Sequence, residues 1–344
     1  MKEFGSANEI AKRNALHTST TPNSKMNNGE LHPARIEPVG EGIPRPLWSV
    51  MIPSFNSVPS YFRQTLNSVL AQDAGPEQMQ IEVVDDCSNE DDLEAFVREC
   101  GNGRVSFYRK PVHEGMAAMF NSCIQRSRGQ LVHILHSDDY ILPGFYQRLT
   151  DIAAQHQNKA LIATRSFLID HESAIIGVTE RLPALEAGGH AVENFFYRTP
   201  IQTPGVVVRR AFYEHHGGFT DVPCLLDCEM WTRAISLGGG VVTAEVLACY
   251  RMFNANHSAQ SARTTVLLEG VTVLNKLFAE RHPGFDRQQG LQRVLSEALV
   301  RAESYTQAHD APAAAANLAY WRAAAPMRFR LRRAAGKLAR GIFR

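Results

Sequence analysis

LVHILHSDD, residues 131–139, decides the fold. A short apolar run, Leu131–Leu135, ends abruptly at His136-Ser137-Asp138-Asp139. Runs of this length fit a strand buried on both faces, and the polar stop marks its carboxyl end. Two earlier stretches have the same form. WSVMIPSFN, residues 48–56, runs from Trp48 to Ile52 and ends in Pro53-Ser54-Phe55-Asn56. IEVVDDCS, residues 81–88, ends in Asp85-Asp86-Cys87-Ser88. Between and around them lie segments with helical spacing. Phe62, Leu66, Val69 and Leu70 predict a helix over 60–72. Leu93, Phe96 and Val97 predict one over 90–100, behind Ser88 and Asn89 as capping residues. Met119, Phe120, Cys123 and Ile124 predict a third over 116–127, and Val105–Tyr108 is a further strand. The β-α-β-α order predicts an α/β fold: a Rossmann-like, mostly parallel sheet with helices on both faces.

Farther along the chain the pattern loosens. Strand-like runs occur at 160–169, 205–208 and 240–247, and a helix is expected over 228–237. From 264 the chain reads as a helical C-terminal extension, with Leu267, Val271, Leu274 and Phe278 on one stripe. Residues 1–45 are rich in Asn, Ser, Thr, Gly and Pro, which predicts a flexible tail. The expected organisation is therefore a tail over 1–45, a sheet domain over 46–263 (a regular half 46–142 and a looser half 143–263), and the extension 264–344.

Composition narrows the function classes. The chain has 344 residues, 44% hydrophobic and 21% charged, a globular balance. A net charge of +1 excludes a polyelectrolyte binder, and no specific nucleic acid is expected. No run approaches the roughly 18 apolar residues of a spanning helix. MKEFGSANEI lacks the apolar core of a secretory signal, so a cytoplasmic location is expected. The six cysteines form no CxxC pair and read as reduced thiols; Cys224 and Cys228 near His215 and His216 do not have the usual zinc-ligand spacing. From Arg322 to the end there are eight Lys/Arg and no Asp or Glu, interleaved with Phe329, Leu331, Leu338, Ile342 and Phe343. Such a basic amphipathic segment fits an anionic membrane surface, a solvated helix packed on the domain, or binding by charge alone.

In open α/β sheets ligands bind beyond the carboxyl ends of the strands. Three strand ends here carry polar residues, and two carry adjacent carboxylates. Adjacent carboxylates repel and favour a cation or donors between them. Hard oxygen ligands suit Mg²⁺ or Mn²⁺ holding phosphates. The alternative is that both pairs only form turns and caps. Neither GxGxxG after the first strand nor GxxxxGK[ST] is present, so a nucleotide diphosphate would need a metal to carry its charge.

SVMIPSFN, the helix end Ser68-Val69-Leu70-Ala71-Gln72, VVDDCS, His113-Glu114-Gly115 with Asn121, and LHSDDYILPG together resemble family 2 glycosyltransferases of the GT-A fold. Gly217-Gly218-Phe219, then Asp227-Cys228-Glu229-Met230-Trp231, then Tyr250-Arg251 with His257-Ser258, continue the resemblance in order over about residues 48–261. The resemblance implies an inverting transferase that uses a nucleotide-diphosphate sugar, UDP-linked by family habit. A glycan or lipid-linked acceptor in surface-polysaccharide synthesis and peripheral membrane placement would follow. Pro53 and Phe55 would line the base pocket, with Ser54, Asn56, Gly115, Asn121 and Ser137 around the nucleotide. Asp85 is the first choice over Asp86 for the base. Asp138 would ligate the metal, with Asp139 alongside. The family's Asp-x-Asp reads His136-Ser137-Asp138 here, so His136 becomes a candidate ligand, joined by His257. Asp227 aligns with the catalytic base; Glu229 is the second choice for that role or orients a neighbour, and Trp231, read first as core, and Arg251 are supporting candidates. A sugar-phosphate nucleotidyltransferase and a catalytically inactive scaffold remain as alternatives. The glycine-free loop PSFNSVPS counts against the first, and the retention of Asp138 and Asp227 against the second.

Overall fold

The computed structural model describes residues 31–89, 92–182, 200–252, 263–282 and 285–327. The chain forms two compact units, one comprising Met1–Val222 and Leu226–Asn256, the other Pro223–Leu225 and His257–Arg344. The units part at 256, a few residues before the boundary expected from the sequence.

The first unit is built on a nine-stranded sheet. Its strands are β1 (Trp48–Ser54), β2 (Met79–Asp85), β3 (Ser106–Arg109), β4 (Leu131–Ile134), β5 (Tyr140–Ile141), β6 (Leu161–Ile169), β7 (Ile175–Val178), β8 (Val206–Arg209) and β9 (Gly240–Arg251). The order is β3-β2-β1-β4-β8-β6-β9-β5, with β7 on β6. β1, β2, β3 and β4 are parallel, as the β-α-β-α reading requires. The second half departs from it: β8 runs antiparallel to β4 and β6, and β5 antiparallel to β9. The short β5 and β7 carry no alternation that could announce them.

Every residue of β1 and β2 is buried. Alternation sends Val50 and Ile52 into a core with Phe62, Leu66 and Leu149, and Met51 into the opposite core with Phe120, Ile134 and Trp231. The covering helices are α1 (Pro59–Leu70), α2 (Leu93–Gly101), α3 (Met116–Arg126), α4 (Phe145–Gln155), α5 (Arg210–His216) and α6 (Leu226–Gly238). Pro59 starts α1 at the one turn where a missing N–H costs nothing, and Asp92 caps α2 through Ala95 N.

The expected tail begins its packing earlier than its composition suggests. Ile36 is buried. Gly218 N donates to Ala34 O (2.7 Å), Arg210 Nη2 to Glu37 O (3.2 Å) and Glu37 N to Gln125 Oε1 (3.0 Å). Residues 31–37 are therefore part of the sheet unit, held by backbone pairing that no hydrophobic pattern signals.

The second unit holds α7 (Val266–Arg281), α8 (Arg287–Gln307) and α9 (Ala311–Ala324). Asp286 and Asp310 cap α8 and α9. Leu268, Leu295, Ala298, Trp321 and Ala325 form its core. Leu274 and Phe278 are buried as the stripe predicts, but Leu268 replaces Leu267 on the inner face. No helix among the described residues is long and apolar enough to cross a membrane.

Candidate active site

β1 pairs with β2 on one side and β4 on the other, although β3 intervenes in the chain. That reversal opens a crevice beyond the carboxyl ends of β1 and β4. Pro53 is buried within β1, opposite Val84, and supports the crevice rather than lining it with an exposed face. A hydroxyl chain crosses the rim: Ser54 Oγ to Ser57 Oγ (2.7 Å) and Ser57 Oγ to Ser137 Oγ (2.6 Å).

The β2 end is filled with donors. Asp85, fully buried, accepts from Ser88 N (3.1 Å), Ser88 Oγ and Arg109 Nε (2.6 Å). Arg109 reaches it because parallel register sets Asp85 beside Arg109 on β3. Every strong contact of Asp85 is internal, which ties the β2 loop to β3. Asp86 is also buried, but its partners come from the following loop. Its Oδ1 meets Lys110 Nζ (3.0 Å) and Glu114 N (3.2 Å), and its Oδ2 meets Gly115 N (3.0 Å) and His113 Nδ1 (2.8 Å). Gly115 adopts φ +87° as it enters α3, a conformation suited to glycine. The His113 ring stacks on Phe55, centroids 4.2 Å apart. Asn56, at φ 46°, donates from its N to Ser88 Oγ (2.9 Å) and accepts from Asn89 N, which fixes the turn that presents Phe55.

The β4 end is different. His136, Asp138 and Asp139 each offer a ligand atom, all within 4.8 Å of one another. His136 Nε2 and Asp139 Oδ2 are buried without a hydrogen-bond partner. Burial raises the Asp138 pKa, and burial together with the Asp138 charge raises that of Asp139 well above the usual carboxylate range. Burial lowers that of His136, which favours the neutral imidazole with one ring nitrogen carrying a free lone pair. An imidazole and two carboxylates within 4.8 Å of one another, with a buried ring nitrogen and a buried carboxylate oxygen left without hydrogen bonds, fit a divalent cation. His133, on the same strand, is a core residue: it meets Tyr146 Oη (3.2 Å) and Pro204 O (3.0 Å), and burial lowers its pKa to about 4.

Arg251 holds this loop from behind. Its N donates to Asp139 Oδ1 (2.8 Å) and its Nε to Asp138 O (2.8 Å). The rest of the guanidinium donates to Asp170 O, Ser173 Oγ and Gln64 Oε1 and lies over Tyr61. α1 adds Thr65 Oγ1 to Asp139 O (2.6 Å) and Gln72 Nε2 to Leu142 O (3.1 Å). Arg251 is thus a positioning residue.

Asp227 lies in the first turn of α6, where its Oδ1 accepts from Cys228 N (2.8 Å). Burial raises its pKa, against the pull of that N–H. Glu229 is committed elsewhere: it pairs with Arg233 (2.9 Å), whose other nitrogens donate to His216 O and Gly218 O. That pair fastens α6 to the glycine turn and leaves Glu229 unavailable as a base. Asn121 uses both ends of its amide on the backbone of Phe219 (3.0 and 2.7 Å), so it anchors the glycine turn rather than facing the crevice. A Cβ on Gly218 would collide with that amide. Trp231 is core, edge-on to Phe219. Phe219 in turn meets Phe120, which stacks on His136, so a line of rings joins α6 to the β4 end.

His257 and the basic segment 328–344 lie outside the described residues. Sequence reasoning gave no role to Arg109, Lys110, Arg233 or the ring of Phe120; strand register and helix packing bring each to its partner, and only the i, i+4 spacing of Glu229 and Arg233 was readable beforehand.

Residues 49–204 match the family model for Glycosyl transferase family 2. This stretch is a family 2 glycosyltransferase domain. The uncharacterized protein MT1568 of Mycobacterium tuberculosis is 27% identical over 248 residues, 67% of this chain and 74% of that protein. The putative colanic acid biosynthesis glycosyl transferase WcaA of Escherichia coli is 28% identical over 140 residues, 40% of this chain; the chain spans 47% of WcaA. Among solved structures, S. aureus TarS 1-349 in complex with UDP-GlcNAc superposes with a TM-score of 0.57 at 17% identity, covering 82% of each chain. The glycosyltransferase domain therefore has a GT-A-like fold.

Proposed function

We propose that this chain is an inverting glycosyltransferase. It moves a sugar from a nucleotide-diphosphate donor, UDP-linked, to a hydroxyl of a glycan or lipid-linked acceptor in surface-polysaccharide synthesis. The observation that carries the reading is the His136–Asp138–Asp139 cluster at the carboxyl end of β4. Relatives support the reaction class: WcaA is named for colanic acid synthesis and TarS was solved with UDP-GlcNAc.

In this reading Phe55 stacks the base and Asp86, not Asp85, accepts from it, because Asp85 is spent on Ser88 and Arg109. Ser137 faces the ribose at the end of the hydroxyl chain. Asp138 and His136 hold Mn²⁺ or Mg²⁺, with Asp139 beside them. Bound there, the cation would neutralise charge developing on the diphosphate. Asp227 takes the proton of the acceptor hydroxyl through its carboxylate as the hydroxyl oxygen forms its bond to the anomeric carbon. The bond from that carbon to the diphosphate oxygen breaks on the opposite face, and its electrons leave with the diphosphate. A carboxylate whose pKa burial has raised is a better proton acceptor near neutrality than an ordinary one. Peripheral placement at an anionic membrane surface rests on the Lys/Arg-rich sequence of 328–344 alone.

The test is calorimetric titration of UDP, GDP and dTDP, each with and without Mn²⁺. UDP binding that requires Mn²⁺ is expected. Failure of all three nucleotides to bind folded protein would remove the donor assignment.

A further inference from the structure

The ring on Phe55 has the chemistry of a nucleobase. Imidazole is a planar heteroaromatic with a ring N–H. In this protein His113 stacks on Phe55 at 4.2 Å and 22° between planes, while its Nδ1 hydrogen-bonds the main-chain O of Asp86 (3.3 Å) and lies 2.8 Å from Asp86 Oδ2. Uracil, thymine and guanine can make a like pair of contacts, an aromatic stack and a ring N–H turned to Asp86. Neutral cytosine and adenine have no ring N–H to give.

We propose that His113 occupies the nucleobase position in the ligand-free protein and is displaced when the donor binds. The proposal rests on the reading of Phe55 as the base platform. Geometry excludes a sandwich in place: a base between two rings needs about 7 Å, two contact distances of about 3.5 Å. Displacement needs only a side-chain rotation, because 45% of the His113 side chain is already exposed. Asp86 stays where it is, since Lys110 and the N–H groups of Glu114 and Gly115 still hold it. Departure of His113 uncovers the Phe55 face and frees an acceptor position on Asp86 Oδ2 in one movement. The Phe55 face is thus kept covered between turnovers by a residue that imitates the ligand.

An intramolecular occupant lowers apparent affinity by the fraction of time the site is open. The test compares UDP affinity, in saturating Mn²⁺, for the full chain, His113→Ala, His113→Phe and Phe55→Ala. His113→Ala is expected to bind UDP roughly tenfold more tightly than the unaltered chain, the stack and the contacts with Asp86 both being gone. His113→Phe, which keeps the stack and loses the N–H, should fall between them. CMP should bind more weakly than UMP to every one of these chains. Equal or weaker UDP binding by His113→Ala overturns the displacement while leaving the donor site standing. Unchanged binding by Phe55→Ala, or no binding by the unaltered chain, overturns the platform reading and the displacement with it.

Discussion

Two pairs of adjacent aspartates stand at two strand ends of one sheet, and the fold treats them in opposite ways. Asp85–Asp86 is surrounded by Ser88, Arg109, Lys110, His113 and two loop N–H groups. Asp138–Asp139 faces His136, leaves Asp139 Oδ2 unpartnered, and meets Arg251 mainly through backbone atoms. The nearest guanidinium is spent on the Asp138 carbonyl, not on its carboxylate. One pair is settled by protein donors, and the other keeps an unmet demand for positive charge. The difference teaches that an Asp-Asp dipeptide after a strand is not a metal motif in itself. The neighbouring strand decides: β3 delivers Arg109 and Lys110 to the first pair, whereas β8, the antiparallel neighbour of β4, delivers no cation to the second.

The largest expected effect lies outside both pairs and isolates their role in binding. Asp227→Asn should lower kcat by about 10³-fold and leave Mn²⁺-dependent UDP affinity within about twofold, measured by turnover and titration. In the unaltered enzyme the acidic limb of the rate profile should lie above the ordinary carboxylate range, because burial raises the Asp227 pKa. Activity is then lost as pH falls and the base takes its proton. A variant with undiminished turnover would leave the base unassigned.

Asp138→Ala should weaken Mn²⁺-dependent UDP binding by about 100-fold, while Asp85→Ala should act through stability instead. Equal losses of metal dependence in both variants would erase the distinction between the pairs.

Protons should compete with Mn²⁺ at the second pair. The Asp138 and Asp139 pKa values are raised, so the folded protein holds protons there at pH values where the unfolded chain has released them. Metal-free stability from these two groups therefore increases as pH falls from neutrality toward 3.8 and is lost as pH rises through the raised values. Mn²⁺ affinity runs the other way, falling roughly tenfold per pH unit below the raised values. Titrations between pH 5 and pH 8, on the order of one unit apart, measure that slope. A flat profile would mean that the carboxylates are not the ligands.

The smallest effect has the sharpest sign. Asp139→Asn should raise the metal-free Tm, because it removes the repulsion with Asp138 and keeps an oxygen for Arg251 N. Asp85→Asn should lower it, since a buried acceptor for Arg109 or Ser88 is lost at a cost of about 1–3 kcal/mol. Thermal melts without metal read both.

The candidates were legible to different degrees. Asp138 and His136 were singled out because a polar stop after a buried strand is a local signal, and Phe55 because of the family resemblance. The partners of Asp85 and Asn121 were not legible, because Arg109 and the Phe219 backbone lie 24 and 98 residues away. Residues 31–37 escaped notice because backbone hydrogen bonds, unlike apolar periodicity, leave no mark in composition.

The sequence by itself determined the parallel half of the sheet, the crevice to which its strand ends point, and the inventory of acids brought there. Period-two and helical spacing are properties of the chain alone, so they can be read without partners. Only the tertiary structure decided which carboxylates were answered and which were left waiting. That depends on the register between strands and on the antiparallel turn at β8. Both are fixed by burial across the whole sheet, where a shift of one residue would turn every side chain to the other face.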